Sequence, residues 1–287
     1  MPRKIHNLHI KMIPATPIST KNKLESQELF KISRFKPLIK KTKPHKHEGY
    51  FELIFIAEGE GFHWIETESY QVQTPDFYFL KPGQLHFWQF TAIPKGYVMM
   101  FKEEFIDAVK EVKILQQIQQ LGDLTRIPMW KDPMVEHIFE DILRVFKEDT
   151  RNADDVIKGY LRVLFAKISE HSTDKPSLVE NPLCDRFLSL LSQQSPILHK
   201  VTDYATLLQT SPQNLNQSCK KKTGKTASEH ISAQLILEAK RNILHTEQNI
   251  NQIADFLQFN DASYFVKFFK KHTGETPHQF RGRYLGE

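Results

Sequence analysis

"SYFVKFFKKHTGETP", Ser263–Pro277, crowds four aromatic residues and three lysines into one short segment. At about 100° per residue, Tyr264, Phe265, Phe268 and Phe269 share one helix face. Ser263, Val266, Lys267 and Lys270 fall on the opposite face, with Lys271 at its edge. One face asks for a core; the other offers donors and positive charge to the outside. Asp261 or Ser263 suits the N-cap, Gly274 the position just past the C-terminus, and Thr276 with Pro277 the start of a further short helix. Alone, such a helix reads as a surface element with a solvated lysine face. What precedes it decides otherwise.

The segment is one half of an imperfect repeat. "LNQSCKKKTGKT" (Leu215–Thr226) matches "FVKFFKKHTGET" (Phe265–Thr276), and "VTDYATLL" (Val201–Leu208) matches "INQIADFL" (Ile250–Leu257). The two matches differ in offset by a single residue, which falls in the turn. Each copy reads as short helix, tight turn, second helix, near 201–224 and 250–274. Ala205 and Ala254 are small, as a close helix crossing needs. In the first copy Ser211 suits the N-cap and Pro212 the first helical position. Gln213, Asn214, Asn216, Gln217, Lys220 and Lys221 form its polar surface, and Leu215, Ser218 and Cys219 its core face. Asn and Gln form bidentate pairs with adenine in the major groove, and lysines one turn on reach phosphates. "TASE" (Thr226–Glu229) is a capping box that opens a helix to about Leu244. That helix would fix the two units relative to each other, so that their second helices enter successive major grooves of double-stranded DNA.

From about residue 183 to 284 the text resembles the DNA-binding domain of the AraC/XylS family of transcription regulators. The second copy, "IADFLQFNDASYFVKFFKKHTGETPHQFR" (Ile253–Arg281), carries the family signature. It departs at Gln258, where the family usually has Gly, at Lys267, where Arg is common, and in the linking helix at Gln234. The first departure bears on the turn geometry. The second bears on base or phosphate contacts, because Lys does not replace Arg neutrally at a bidentate site. The resemblance implies a small-molecule effector, activation through contact with RNA polymerase, and a homodimer.

Composition agrees with a two-domain globular protein. The chain has 287 residues and a net charge of +5. Residues 1–50 hold 12 Lys/Arg against 3 Asp/Glu, and residues 197–287 hold 12 against 8, so the middle is acidic. The first excess suits a solvated leader, a nucleic-acid arm, or no function of its own. Cys184 and Cys219 lack zinc-type spacing and give no disulfide framework. No signal peptide and no membrane span is legible, which leads to the expectation of a reduced, cytosolic protein.

The N-terminal half is strand-like. A basic segment, 1–44, precedes short strands rich in β-branched and aromatic residues between about Tyr50 and Phe101, which predict a barrel or jelly roll in 45–132. Val135, Ile138, Phe139, Ile142, Leu143 and Phe146 predict one amphipathic helix, and Val156, Tyr160, Leu161, Leu164 and Ile168 a second, together 133–170. These helices suit packing on the barrel, or dimerisation and signal transmission. "HSTDKPSLVENP" (171–182) reads as a linker to 183–287. The fold class is α+β: a β-barrel with appended helices, then an all-α domain.

"HKHEGYFELIFIAEG" (His45–Gly59) and "PGQLH" (Pro82–His86) resemble the two motifs of the cupin barrel, in which His45, His47, Glu52 and His86 would match the metal-binding set. The second motif departs from the pattern at Pro82–Gly83 and at Phe90. His45 and His47 point to the same side of a strand, and the Gly49 turn can re-aim Glu52 beside them. Three readings stay open: a metal-free effector pocket, histidines that satisfy local hydrogen bonds, and a bound divalent metal such as Fe, Mn, Ni or Zn. No metal or other cofactor is favoured. Phe62, Trp64, Phe79 and Trp88 are candidates for an aromatic wall that would take a sugar or another ring, or for plain core. His63 reads as a surface residue.

The leading function is therefore a ligand-responsive transcription regulator and not an enzyme. A metal-dependent cupin enzyme joined to a DNA-binding domain is the alternative, and an architectural DNA-binding protein with no effector is a third.

Overall fold

In a computed structural model, the residues described are 18–36, 38–107, 114, 117–118, 121, 124–127, 132–170 and 181–285. They form two units, each with its own core. The first holds strands β1 (Ser19–Thr20), β2 (Phe30–Arg34), β3 (His45–Lys46), β4 (Phe51–Ile65), β5 (Glu68–Gln71), β6 (Asp76–Leu80), β7 (Leu85–Phe101) and β8 (Arg126–Ile127). It also holds helices α1 (Glu103–Asp107), α2 (Pro133–Glu148) and α3 (Ala153–Glu170). The order in the sheet is β1-β3-β7-β4-β6-β8, with β2 also on β7 and β5 also on β4.

The first half of β4 is apolar on both faces because both are covered. Leu53 and Phe55 join Phe77, Phe79, Met99 and Phe101 in a core that the helices close with Phe139 and Phe165. Ile54 and Ile56 face a second core with Tyr78, Trp88 and Phe90. This places Phe79 under the helices, away from any aromatic wall in the second core. On α2, capped by Asp132, the buried stripe of Val135, Ile138, Phe139, Ile142 and Leu143 follows the expected period. On α3 Ile157 is buried and Val156 is exposed, so the stripe passes one residue later than expected at that turn.

Residues 19–44 do not form a detached basic leader. Strand β2 pairs antiparallel with β7, from Phe30↔Phe101 to Arg34↔Tyr97, and buries Phe30 and Ile32 in the main core. Its alternation supplies a core face that the surrounding lysines obscure in the sequence. The basic residues before position 18, and the linker reading over 171–180, lie outside the described residues.

The pairing of β4 with β7 shifts register between Ile56 and Gly61. Gly61, at φ +138°, lies against the partner strand so closely that a Cβ there would stand 2.3 Å from Gln89 O. The bulges change which side chains point inward. Before them the even positions Glu52, Ile54 and Ile56 face the second core; after them the odd positions His63 and Ile65 do.

The second unit is helical: α4 (Pro182–Gln193), α5 (Val201–Leu207), α6 (Pro212–Thr223), α7 (Ala227–His245), α8 (Ile250–Phe256), α9 (Ala262–Thr273) and α10 (Pro277–Leu285). Helix α7 serves two cores. Ala227, Ile231 and Leu235 pack with Leu215 and Cys219, while Ile236, Ala239 and Ile243 pack with Phe265 and Phe269. Its start is the expected capping box, with reciprocal Thr226 and Glu229 contacts. No helix among the described residues is long and apolar enough to cross a membrane.

Candidate functional site: a duplicated helical surface and a buried histidine cluster

The two helix-turn-helix units repeat in backbone detail. Ser211 caps α6 by accepting from Asn214 N at 3.1 Å, and Asp261 caps α9 by accepting from Tyr264 N at 2.7 Å. Gly224 and Gly274 end the helices in left-handed conformations, at φ +76° and +85°. In the turns, Thr210 N donates to Ala205 O and Phe259 N to Ala254 O, each at 2.9 Å. The residue before each of these donors, Gln209 or Gln258, is itself left-handed, at φ 54° and 58°. The turn thus keeps the geometry a glycine would give even where Gln258 stands.

Burial follows the same sequence along both second helices. Leu215 and Cys219 face inward on α6, and Phe265 and Phe269 on α9. Gln213, Asn214, Gln217, Lys220 and Lys221 are exposed and Asn216 is half-buried; Ser263, Lys267, Lys270 and Lys271 are exposed and Val266 is half-buried. Asn216 and Asn214 also have local partners. Asn216 Oδ1 accepts from Ser228 N at 3.3 Å, and Asn214 Nδ2 donates to Thr210 Oγ1 at 2.9 Å. Lys222, in contrast, turns back to Asp185 on α4 at 2.5 Å. Tyr264 departs from the expected core face: it is 55% exposed. Four aromatics spread over two adjacent helix rows exceed what one core can cover, and Tyr264 lies at the edge of the arc.

His199 and Arg281 act as braces that the sequence did not single out. The His199 Nε2 contact to Leu257 O, at 2.7 Å, ties the loop before α5 to the end of α8. Arg281 donates to Ile243 O at 3.0 Å and to Gln248 O at 2.8 Å, and so clasps the loop between α7 and α8.

In the sheet unit the structure brings His45, His47, Glu52 and His86 together, all buried. Strand pairing does this directly, since His45 lies opposite His86 and Glu52 is the second residue of β4, just after the left-handed Gly49 turn. His47 Nε2 lies 3.0 Å from His86 Nε2, and Glu52 Oε2 lies 3.4 and 3.3 Å from those two atoms. Glu52 Oε1 accepts from Lys23 Nζ at 2.7 Å, whereas the buried Oε2 has no hydrogen-bond partner. Burial pushes the Glu52 carboxyl up, but the Lys23 charge and the neighbouring His47 and His86 outweigh it and hold the group well below the carboxylate range. Burial pushes His45 down to about 4 and holds His63 and His86 well below the histidine range.

His63 is a member of this cluster and not a surface residue. It is fully buried, its Nε2 lies 3.1 Å from His86 Nδ1, and its ring stacks on Trp88 at 3.4 Å. Simple alternation from Glu52 misses it because the bulges shift the parity. The Gly59–Gly61 pair was the legible signal. The four candidates for an aromatic wall are divided: Phe79 and Trp88 lie in different cores, and Phe62 and Trp64 pair with each other at 5.5 Å. Trp88 already stacks on His63 and Phe90, while Trp64, one residue from His63, points to the other face and stacks on Phe87 at 4.9 Å.

A sheet unit with a buried polar cluster, joined to a duplicated helix-turn-helix, defines a two-part transcription regulator. The family comparisons agree. The model of the AraC-like ligand binding domain matches residues 40–165, and that of a helix-turn-helix domain matches residues 204–283. The chain belongs to the AraC/XylS family of transcription regulators. It is 24% identical over 253 residues to the HTH-type transcriptional activator RhaR of Enterobacter sp. (strain 638), covering 83% of this chain and 86% of the relative. The RhaR of Salmonella arizonae is 20% identical over 249 residues, with the same coverage. Among solved structures, ToxT from Vibrio cholerae aligns over 88% of this chain and 98% of its own, at 15% identity and a TM-score of 0.43. The C-terminal domain of AraT from Geobacillus stearothermophilus aligns over 37% and 87%, at 25% identity and a TM-score of 0.34.

Proposed function

We propose that this regulator is a sequence-selective activator whose sheet unit senses an effector. The observation that carries the reading is the duplicated helix with one buried and one polar face. Gln213, Asn214, Asn216 and Gln217 on α6, and Ser263, Val266 and Lys267 on α9, are the residues offered to base edges. Lys220, Lys221, Lys270 and Lys271 sit a turn later, where phosphates run. Activation, RNA polymerase as a partner and a cytoplasmic site of action rest on the family. A homodimer through α2 and α3 would use their outward faces, where Met134, Val156 and Val163 are exposed.

The effector must bind one arrangement of the protein better than another to switch it. The displaced Trp64 and the covered Trp88 weaken the expectation of a sugar stacked beside the histidines. The test is selection of bound fragments from a random DNA library at fixed salt, followed by sequencing. An asymmetric site with two short elements about 10–10.5 bp apart is the expected result. No enrichment, with or without candidate effectors, would remove the reading and favour an architectural binder, which relies on backbone and deformability.

The histidine cluster also motivates a second reading, a metal-dependent enzyme joined to the DNA-binding domain. Metal-dependent turnover that is lost in His47→Ala would support it. Full effector-dependent DNA binding by metal-free protein would remove it.

A further inference from the structure

The exposed ring of Tyr264 sits at a position that the repeat keeps open. From Ser211 to Lys220 and from Asp261 to Lys270, the two second helices bury and expose equivalent residues alike, and Asn214 and Tyr264 both fall on an exposed step. Tyr264 is therefore not a core residue pushed out of place. Three and seven residues on, along the same row of α9, stand Lys267 and Lys271. The matching row of α6 is Asn214, Gln217 and Lys221. The rows differ in chemistry: amide, amide and cation on α6; aromatic ring, cation and cation on α9.

Each turn holds this position from the side. Thr210 and Phe259 are equivalent, since their N–H groups close the two turns in the same way. In the first unit Asn214 Nδ2 donates to Thr210 Oγ1 at 2.9 Å. In the second the Tyr264 ring leans on Phe259, with centroids 5.8 Å apart. Phe259 is itself buried, packed by His199 at 4.8 Å and by Phe265 and Phe268 at 5.2 Å each. The Tyr264 ring thus rests on a fixed support while more than half of the residue stays open to the outside. A side chain positioned in advance loses little entropy on contact. Tyr264 is the third residue of α9, at the end that reaches base edges when such a helix enters a major groove.

We propose that Tyr264 reads a thymine, through its C5-methyl group, in the element that α9 contacts. The ring offers apolar surface where α6 offers an amide, and the methyl group is the apolar feature of thymine's major-groove edge. Lys267, Lys270 and Lys271 are all exposed and supply the positive charge that seats this apolar surface on DNA rather than on a neutral partner. The two units therefore differ in kind: α6 selects by amide hydrogen bonds, and α9 adds selection by contact with a methyl group. This rests on the reading of α9 as a base-contacting helix, and adds to it a residue and a base.

The test uses the full chain and a duplex carrying a site selected by the wild-type protein. Each thymine is replaced in turn by deoxyuridine, which removes only the methyl group. We expect one such replacement to weaken wild-type binding about 4-fold, the effect of one buried methyl contact. The same replacement should have no effect on Tyr264→Ala, while Tyr264→Phe, which keeps the ring, should behave as the wild type. Replacements in the element one turn away should act alike on all three proteins. Far-UV circular dichroism, and retained binding through that other element, guard against misfolded variants. An equal deoxyuridine effect in wild type and Tyr264→Ala, no effect at any thymine, or no thymine in the α9 element would overturn the proposal. So would a loss in Tyr264→Phe that matches Tyr264→Ala, which would show the hydroxyl gripping a phosphate. Any of these leaves a selective two-element site standing, whereas failure of site selection itself removes the reading of α9 and the proposal together.

Discussion

Gln209 and Gln258 hold the same left-handed backbone, at φ 54° and 58°, at equivalent points of the two helix-turn-helix units. A left-handed residue with a Cβ costs about 1–2 kcal/mol, part of which glycine returns as unfolded-state entropy. Gln209→Gly and Gln258→Gly should each stabilise the helical unit by about 0.5–1 kcal/mol. Chemical denaturation read at 222 nm checks this; destabilisation by either change would mean that the glutamine side chain holds the turn.

The polar faces of α6 and α9 predict two classes of DNA-binding variant. Gln217→Ala and Lys267→Ala should relax preference at particular base pairs, by about 1–3 kcal/mol each. Lys221→Ala and Lys271→Ala should weaken all sequences alike and flatten the salt dependence. Binding isotherms on matched and mismatched sites across a salt series separate the classes. The reverse pattern would show that the faces are assigned wrongly.

Gly61 sits where a methyl group would strike the backbone of Gln89. Gly61→Ala should cost about 1–3 kcal/mol or more, through strain at a position with no room to relax. The loss should appear in the thermal transition of the sheet unit, while DNA binding by the helical unit persists. A variant that melts like the parent would show that the bulge yields freely.

Arg126 grips Asp76 with two hydrogen bonds, of 2.9 and 2.8 Å, and Tyr78 donates to the same carboxylate at 2.7 Å. Asp76 is buried. Arg126→Met should leave the Asp76 carboxylate without its ion-pair partner and cost about 3–5 kcal/mol. Adding Asp76→Asn should restore a large part of the loss in a double-mutant cycle.

Local chemistry made the helical unit legible. Caps, the Gly after each helix and the repeated apolar spacing act within a few residues of one another, so Ser211, Thr226 and Gly274 could be assigned without a fold. Phe265 and Phe269 were legible as core for the same reason. Tyr264 was not, because periodicity finds the centre of an apolar arc better than its edge. In the sheet unit, strand pairing set by distant segments decided the outcome. His45, His47, Glu52 and His86 were legible as a set through their motifs. His63 was hidden by the parity change at Gly59–Gly61, and Lys21 and Lys23 by a separation from Glu52 that no local pattern spans. Trp64 lies apart from the cluster because alternation puts it back to back with His63.

Helix α7 contributes its first turns to one core and its later turns to the other. It therefore works as a gauge block. A residue inserted between Leu235 and Ile236 would rotate one reading head against the other by about 100° and shift it by about 1.5 Å. A base pair inserted between the two elements of a target would displace them by roughly 34° along the groove. On the proposed reading, in which both second helices contact bases, the interval between elements is a quantity the target must match, and a target off by one base pair is expected to engage a single head.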